Sequence, residues 1–243
     1  MKKTLVLLVA LTTMASIPAL ANTLCANDAT LQSYITGSST FATACQIGDK
    51  LFWGFALTNG PGSLGFEPNA SQIQVQPVPG DGLTNVGISF NTGGWVVSSS
   101  IPIDQILSYN VATVSGDPLI KDATLTITGT LTGTGGSGSV QETLSPPVAG
   151  SPIIASLPSN LSINIDFSST KVSALAVSNE ITLLGGQGVR DLAHISVFEN
   201  DFSELAGTVP EPMMMGPIGA GLLLFGLAGQ KLRQRGWFGG RDR

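Results

Sequence analysis

The chain has 243 residues, including 30 glycines, two cysteines and one histidine, and its 11 Lys and Arg stand against 16 Asp and Glu for a net charge of −5. That figure conceals the charge of the middle: from Asn22 to Thr208 there are fourteen acidic residues and four basic ones, a net charge of −10. An acidic body excludes a nucleic-acid partner, which needs clustered Lys and Arg to neutralise phosphates; two cysteines and a single histidine argue against a metal centre, and no cofactor is expected.

In chain order, the first element is a leader. Met1-Lys2-Lys3 is a short positive region, an apolar stretch runs from Leu5 through Ile17, and Ala19-Leu20-Ala21 places small residues at the two positions a signal peptidase reads. This is the pattern of a secretory signal peptide over residues 1–21, cut between Ala21 and Asn22. Its apolar core is short for a retained span of a ~30 Å hydrocarbon layer. The exported domain is then 22–208. Cys25 and Cys45 lie twenty positions apart in it, a spacing that in an exported chain favours a disulfide over two free, buried thiols. Closing such a loop contributes about 3 kcal/mol.

After a short helix near Ala29–Ile35, the body reads as β-structure. Ala123, Leu125, Ile127 and Leu131 alternate with Thr124, Thr126, Thr128 and Thr130, and Leu161, Ile163, Ile165 and Phe167 alternate with Ser162, Asn164 and Asp166. A period of two with one apolar face is a half-buried strand. Further strands are expected at Leu51–Thr58, Gln72–Val78, Val86–Asn91, Trp95–Ser99, Ile106–Val114, Val140–Leu144, Ile181–Leu184 and Leu192–Phe198. Turn residues separate them at Asn59-Gly60-Pro61-Gly62, Pro79-Gly80-Asp81-Gly82 and Gly133–Gly138. The last is expected to close a hairpin onto Val140–Leu144. About ten short strands with such turns predict an all-β fold, an antiparallel β-sandwich.

Few residues suggest chemistry. His194 is the lone histidine, so any Ser-His-Asp or Cys-His scheme must use it, and no Gly-x-Ser-x-Gly elbow occurs. Glu199, Asp201 and Glu204 are an acidic group with oxygen ligands for calcium, although without an EF-hand loop they read as a solvated strand end. Trp53 and Trp95 offer aromatic faces of the kind that stack on sugar rings, set against core packing. Gly133–Gly138 lacks the lysine of a phosphate loop and reads as a turn.

The chain ends on Val209-Pro210-Glu211-Pro212, then seventeen uncharged residues from Met213 to Gly229, then a tail carrying Lys231, Arg233, Arg235, Arg241 and Arg243. The apolar run is near the lower limit for a transmembrane helix, and five glycines within it would weaken a helix in water. A basic flank holds such a tail in the cytoplasm. The two prolines disfavour helix at the residue before each of them and keep Glu211 extended.

This C-terminus resembles the PEP-CTERM sorting signal of exported bacterial proteins: motif 209–212, transmembrane helix 213–229 and basic tail 230–243, in that order. The resemblance implies Sec export, transient membrane anchoring and cleavage near the motif by an exosortase, in a Gram-negative envelope and often an exopolysaccharide or biofilm setting. More loosely, Cys25…Leu31-Gln32…Cys45 through Phe52, and His194–Glu199 with Phe202-Ser203-Glu204, resemble the opening and close of uncharacterised PEP-CTERM proteins, which carry over no activity. The expected partners are signal peptidase and exosortase as processing enzymes, and the membrane through the C-terminal helix before processing. Polysaccharide or self-association is the candidate role for the body. The expected function is a non-catalytic envelope or matrix protein, at the cell surface or secreted; the alternative is an extracellular hydrolase such as a glycosidase using a carboxylate pair.

Overall fold

A computed structural model describes residues 23–63, 67–80, 85–98, 101–114, 119–170, 172–188 and 190–204. In chain order the early strands are β1 (Thr23–Leu24), β2 (Ala29–Thr30), β3 (Cys45–Ile47), β4 (Lys50–Asn59), β5 (Gln74–Val78), β6 (Val86–Asn91) and β7 (Val96–Val97). The later ones are β8 (Ile103–Thr113), β9 (Ile120–Thr132), β10 (Ser137–Ser145), β11 (Ile153–Ser156), β12 (Ser162–Asp166), β13 (Ala174–Leu184) and β14 (Leu192–Glu204). One short helix, α1 (Leu31–Gly37), lies between β2 and β3.

These strands form two seven-stranded sheets. Sheet A has the order β1-β3-β4-β8-β13-β10-β11, and sheet B the order β12-β9-β14-β6-β5-β2, with β7 on β14. Pairing is antiparallel except for β1 on β3. The inward positions of both sheets share one core: Leu107, Tyr109 and Val111 of β8 and Val177 and Ile181 of β13 meet Phe90 of β6, Ile127 of β9 and Phe198 of β14. Phe90 stacks on Phe198 at 4.9 Å between centroids and meets Tyr109 across the sheets at 5.9 Å. The fold is a β-sandwich, as the alternating pattern predicts.

Helix α1 packs against β4 of sheet A and β2 of sheet B, on the side of the sandwich where β1 and β2 are the edge strands. Thr30 caps its first turn by accepting from the Ser33 N–H, and the helix buries Leu31 and Tyr34. Tyr34 packs edge-on against Phe55 at 5.0 Å, while its hydroxyl donates to the Ala26 carbonyl at 2.6 Å.

One expectation needs correction. The Thr-rich strand β9 and β10 do not form a hairpin: β9 pairs with β12 and β14 in sheet B, and β10 with β11 and β13 in sheet A. The glycine-rich loop between them therefore crosses from one sheet to the other. The disulfided segment also enters through a parallel pair, Thr23 and Leu24 aligned with Cys45 and Gln46. Strand β11 has no counterpart in the sequence reading, and β13 begins at Ala174, well before Ile181. Its first half alternates apolar residues with Ala176 and Ser178, outward positions too small to make the period conspicuous. The leader (1–21) and the sorting segment (209–243) lie outside the described residues, among which no helix is long and apolar enough to cross a membrane.

Candidate functional site

Cys25 and Cys45 form a disulfide with their Cα atoms 4.8 Å apart. Ala21, Asn22, Val209, Pro210, Glu211, Pro212, Lys231, Arg233 and Arg235 lie outside the described residues. The other candidates are dispersed. His194 is half-buried on β14, opposite Thr130 of β9 and Val96 of β7. Trp95 is fully buried and donates its indole N–H to Gln105 Oε1 at 2.8 Å. Trp53 faces outward from sheet A, in register with Asn110. The two tryptophans therefore build no common platform. The acidic group also divides, with Glu199 and Asp201 on the outer face of sheet B and Glu204 buried at the strand end.

The carboxyls that come together serve the fold. Lys50 is fully buried, with its ammonium 3.0 Å from Asp49 Oδ1 and 3.0 Å from Glu204 Oε1. The second oxygens, Asp49 Oδ2 and Glu204 Oε2, are buried and receive no donor from elsewhere. The two acids instead hydrogen-bond each other, which requires a proton between them. Burial pushes the Glu204 carboxyl up to about 7, with Asp49 adding to the shift and Lys50 opposing it.

A second polar centre lies between the sheets. Glu142 of β10 is fully buried and accepts from the Asn200 side-chain amide of β14. Asn200 Oδ1 accepts in turn from the Tyr109 hydroxyl and the Asn179 amide, each at 3.0 Å. Burial drives Glu142 up to about 8, so it is uncharged at neutral pH. A neutral carboxylic acid is far cheaper to bury than a carboxylate. The network ties β8, β10 and β13 of sheet A to β14 of sheet B. The sequence signal for it was available: Glu142, Asn179 and Asn200 occupy inward positions of their strands' alternation.

Asp191 supplies the reason for the glycine-rich loops. Its carboxylate accepts from the Thr134 and Gly188 N–H groups at 3.2 and 2.9 Å. A Cβ on Gly133 or Gly186 would lie 1.8 or 1.9 Å from its oxygens. Glycine is the only residue that lets both loops close around it. Asp104 does the same at the Asn59–Gly62 turn, where its Oδ2 accepts from the Gly62 N–H at 2.9 Å.

The outer face of sheet A is different. Two cross-strand rows floor a trough: Ser145, Ala176, Asn110 and Trp53, then Thr143, Ser178, Ser108 and Ala56. A β-bulge in β4 between Trp53 and Ala56 bends the strand there. Gly54 sits in it with φ 69°, where a Cβ would come within 2.5 Å of the Asn110 amide nitrogen. Small side chains and the bulge leave a depression of about 220 Å³. Phe41 stands edge-on to Trp53 with centroids 5.0 Å apart and is 58% exposed, so the β4 end of this face is aromatic, beside the residues that line the depression. Neither floor row contains a charged residue.

On the outer face of sheet B, Glu199 and Asp201 are in hydrogen-bonding contact, and burial, then Glu199, pushes Asp201 up to about 8. A directly bonded pair is closer than the 5–10 Å separation a glycosidase uses. Among the described residues no group of three His, Cys, Asp or Glu is placed to hold a metal ion.

No protein-family profile and no curated protein matches the sequence. Among solved structures, TmCBM61 in complex with beta-1,4-galactotriose is 10% identical at a TM-score of 0.30, over 72% of this chain and 98% of that one. A superposition of that quality assigns no family.

Proposed function

We propose that this chain is an exported cell-envelope or extracellular-matrix protein whose body is a non-catalytic structural or binding β-domain. A signal peptide delivers it through the inner membrane, and an exosortase detaches it at the PEP-CTERM signal. Support for the sorting half is the order of its parts: Pro210-Glu211-Pro212, an uncharged run and a basic tail, at the opposite end from a leader. The observation that carries the non-catalytic half is the employment of the clustered carboxyls. Asp49 and Glu204 enclose Lys50, Asp104 and Asp191 pin turns, and Glu142 is sealed between the sheets. Two outward pairs lie on the open face of sheet B. Glu199 and Asp201 are in mutual contact, without the spacing that admits a sugar or a water between two carboxyls. Of the cross-strand partners Asp122 and Asp166, the first accepts from the Ser203 N–H and the second from the Ser168 N–H.

Fractionation of the native host with intact-mass analysis tests this reading. The wild-type chain should begin at Asn22 and lose its C-terminal segment near Glu211. The Glu211→Ala chain should be exported and inserted yet accumulate uncut in the membrane. Trimming of that variant at the wild-type rate overturns the sorting assignment.

A further inference from the structure

We infer that the trough on the outer face of sheet A is a binding site for an uncharged polysaccharide chain. The inference rests on reading the body as a binding domain and names the ligand class and the residues. Four features of the face carry it. The first is its length: from Ser145 on β10 to Trp53 on β4 there are three strand spacings, or ~14 Å, enough for a short run of sugar rings laid across the strands. The second is its chemistry: the hydroxyls of Ser108, Thr143, Ser145 and Ser178 and the amide of Asn110 project from rigid strands and can both donate and accept hydrogen bonds. None of those hydroxyls is engaged by another described residue.

The third feature is the aromatic end of the face. Phe41 and Trp53 place an apolar, electron-rich surface beside the polar floor, and the C–H face of a pyranose matches such a surface while its hydroxyls reach the floor. The fourth is charge. The body carries −10, yet the floor rows are neutral, and the bordering row Gln141, Glu180, Ile106 and Thr58 adds only one carboxylate. An anionic polymer would meet the repulsion of the body without a compensating cation in the trough. A neutral polymer meets none.

An ordinary solvent-facing strand carries longer side chains than Ala176, Ser178, Ser108 and Gly54, and these four lie on central and near-central strands. Replacing Ala176, Ser178 or Ser108 with a large residue fills the trough from below without touching the core, whereas Gly54 is held by its left-handed backbone.

Affinity electrophoresis of the purified full chain in detergent tests the inference, using gels that contain soluble neutral glucan, galactan, mannan or xylan, with alginate as the anionic comparison. At least one neutral polymer should retard the wild type and alginate should not. Phe41→Ala should weaken that retardation at least tenfold, and Ala176→Arg should abolish it. Thr128→Arg, on the outer face of sheet B, should leave it unchanged. Circular dichroism should show the same β-spectrum for every variant. Retardation that survives Ala176→Arg places sugar binding elsewhere and overturns the trough while leaving a binding domain. Absence of retardation by any neutral polymer, retardation by alginate alone, or a dimer dispersed by Ala176→Arg without sugar binding each overturns the inference. Trimming of the Glu211→Ala chain bears on the sorting reading independently.

Discussion

Asp191 and Lys50 represent two ways in which this protein uses charge at the scale of a single residue. Asp191 replaces water with two backbone N–H groups and gathers two loops. Asp191→Ala should lower stability by about 1–3 kcal/mol, because it leaves the Thr134 and Gly188 donors unsatisfied; urea unfolding measures it, and an unchanged midpoint would refute the role. Lys50 neutralises a pair of acids in the interior. Lys50→Met should cost about 3–5 kcal/mol at pH 8, where it leaves the buried Glu204 carboxylate without its cation. The cost should shrink at pH 5, where Glu204, pushed up to about 7, is protonated in both backgrounds. A deficit independent of pH would mean that packing rather than charge accounts for it.

At the scale of elements, β4 combines three tasks in ten residues. Its first residues hold the buried ion cluster, its bulge bends the outer face, and its Phe52 and Phe55 fill the core. The left-handed backbone at Gly54 makes this possible. Gly54→Ala should destabilise by about 1–2 kcal/mol from the conformation alone, and its Cβ must displace Asn110. Thermal unfolding and retardation by polysaccharide should both register the change. The entry segment depends on a different device, since β1 is two residues long and held by the parallel pair and the disulfide. Cys25→Ser with Cys45→Ser should cost about 3 kcal/mol through the loop it opens, and unfolding midpoints identical to those of the oxidised wild type would contradict this.

For the whole molecule, the raised carboxyls set the pH dependence. Glu142 and Asp201 are pushed up to about 8 and Glu204 to about 7, in each case first by burial. In the unfolded chain these groups ionise near pH 4. Between that value and their folded values the native state holds more protons, so stability falls as pH rises. The domain should be at its most stable near pH 4–5 and lose stability progressively towards about pH 8, with little further change above. Denaturant titrations across this range should give steadily lower midpoints. Glu142→Gln, which keeps the hydrogen-bonding shape without the charge, should flatten the slope, and a midpoint that rises with pH would reverse the assignment.

The sequence by itself determined the strands whose alternation is strong, the sandwich class and the cysteine pair. β6 falls on Val86–Asn91 as read, because one apolar face per strand is a local property of the chain. The proposed leader and sorting segment rest on order and composition alone. Tertiary structure decided what depends on two distant segments meeting. Gly133–Gly138 has the composition of a hairpin turn, but a carboxylate some fifty residues away, Asp191, draws it from one sheet to the other. Trp53 and Trp95 look alike in sequence; the indole of Trp95 finds Gln105 inside the core, and the bulge at Gly54 accompanies Trp53 on the outside. The trough has no motif, since its floor is drawn from β4, β8, β10 and β13 and exists only in their register. Local periodicity says which side of a strand is wet, and only the pairing of strands says what lies beside it.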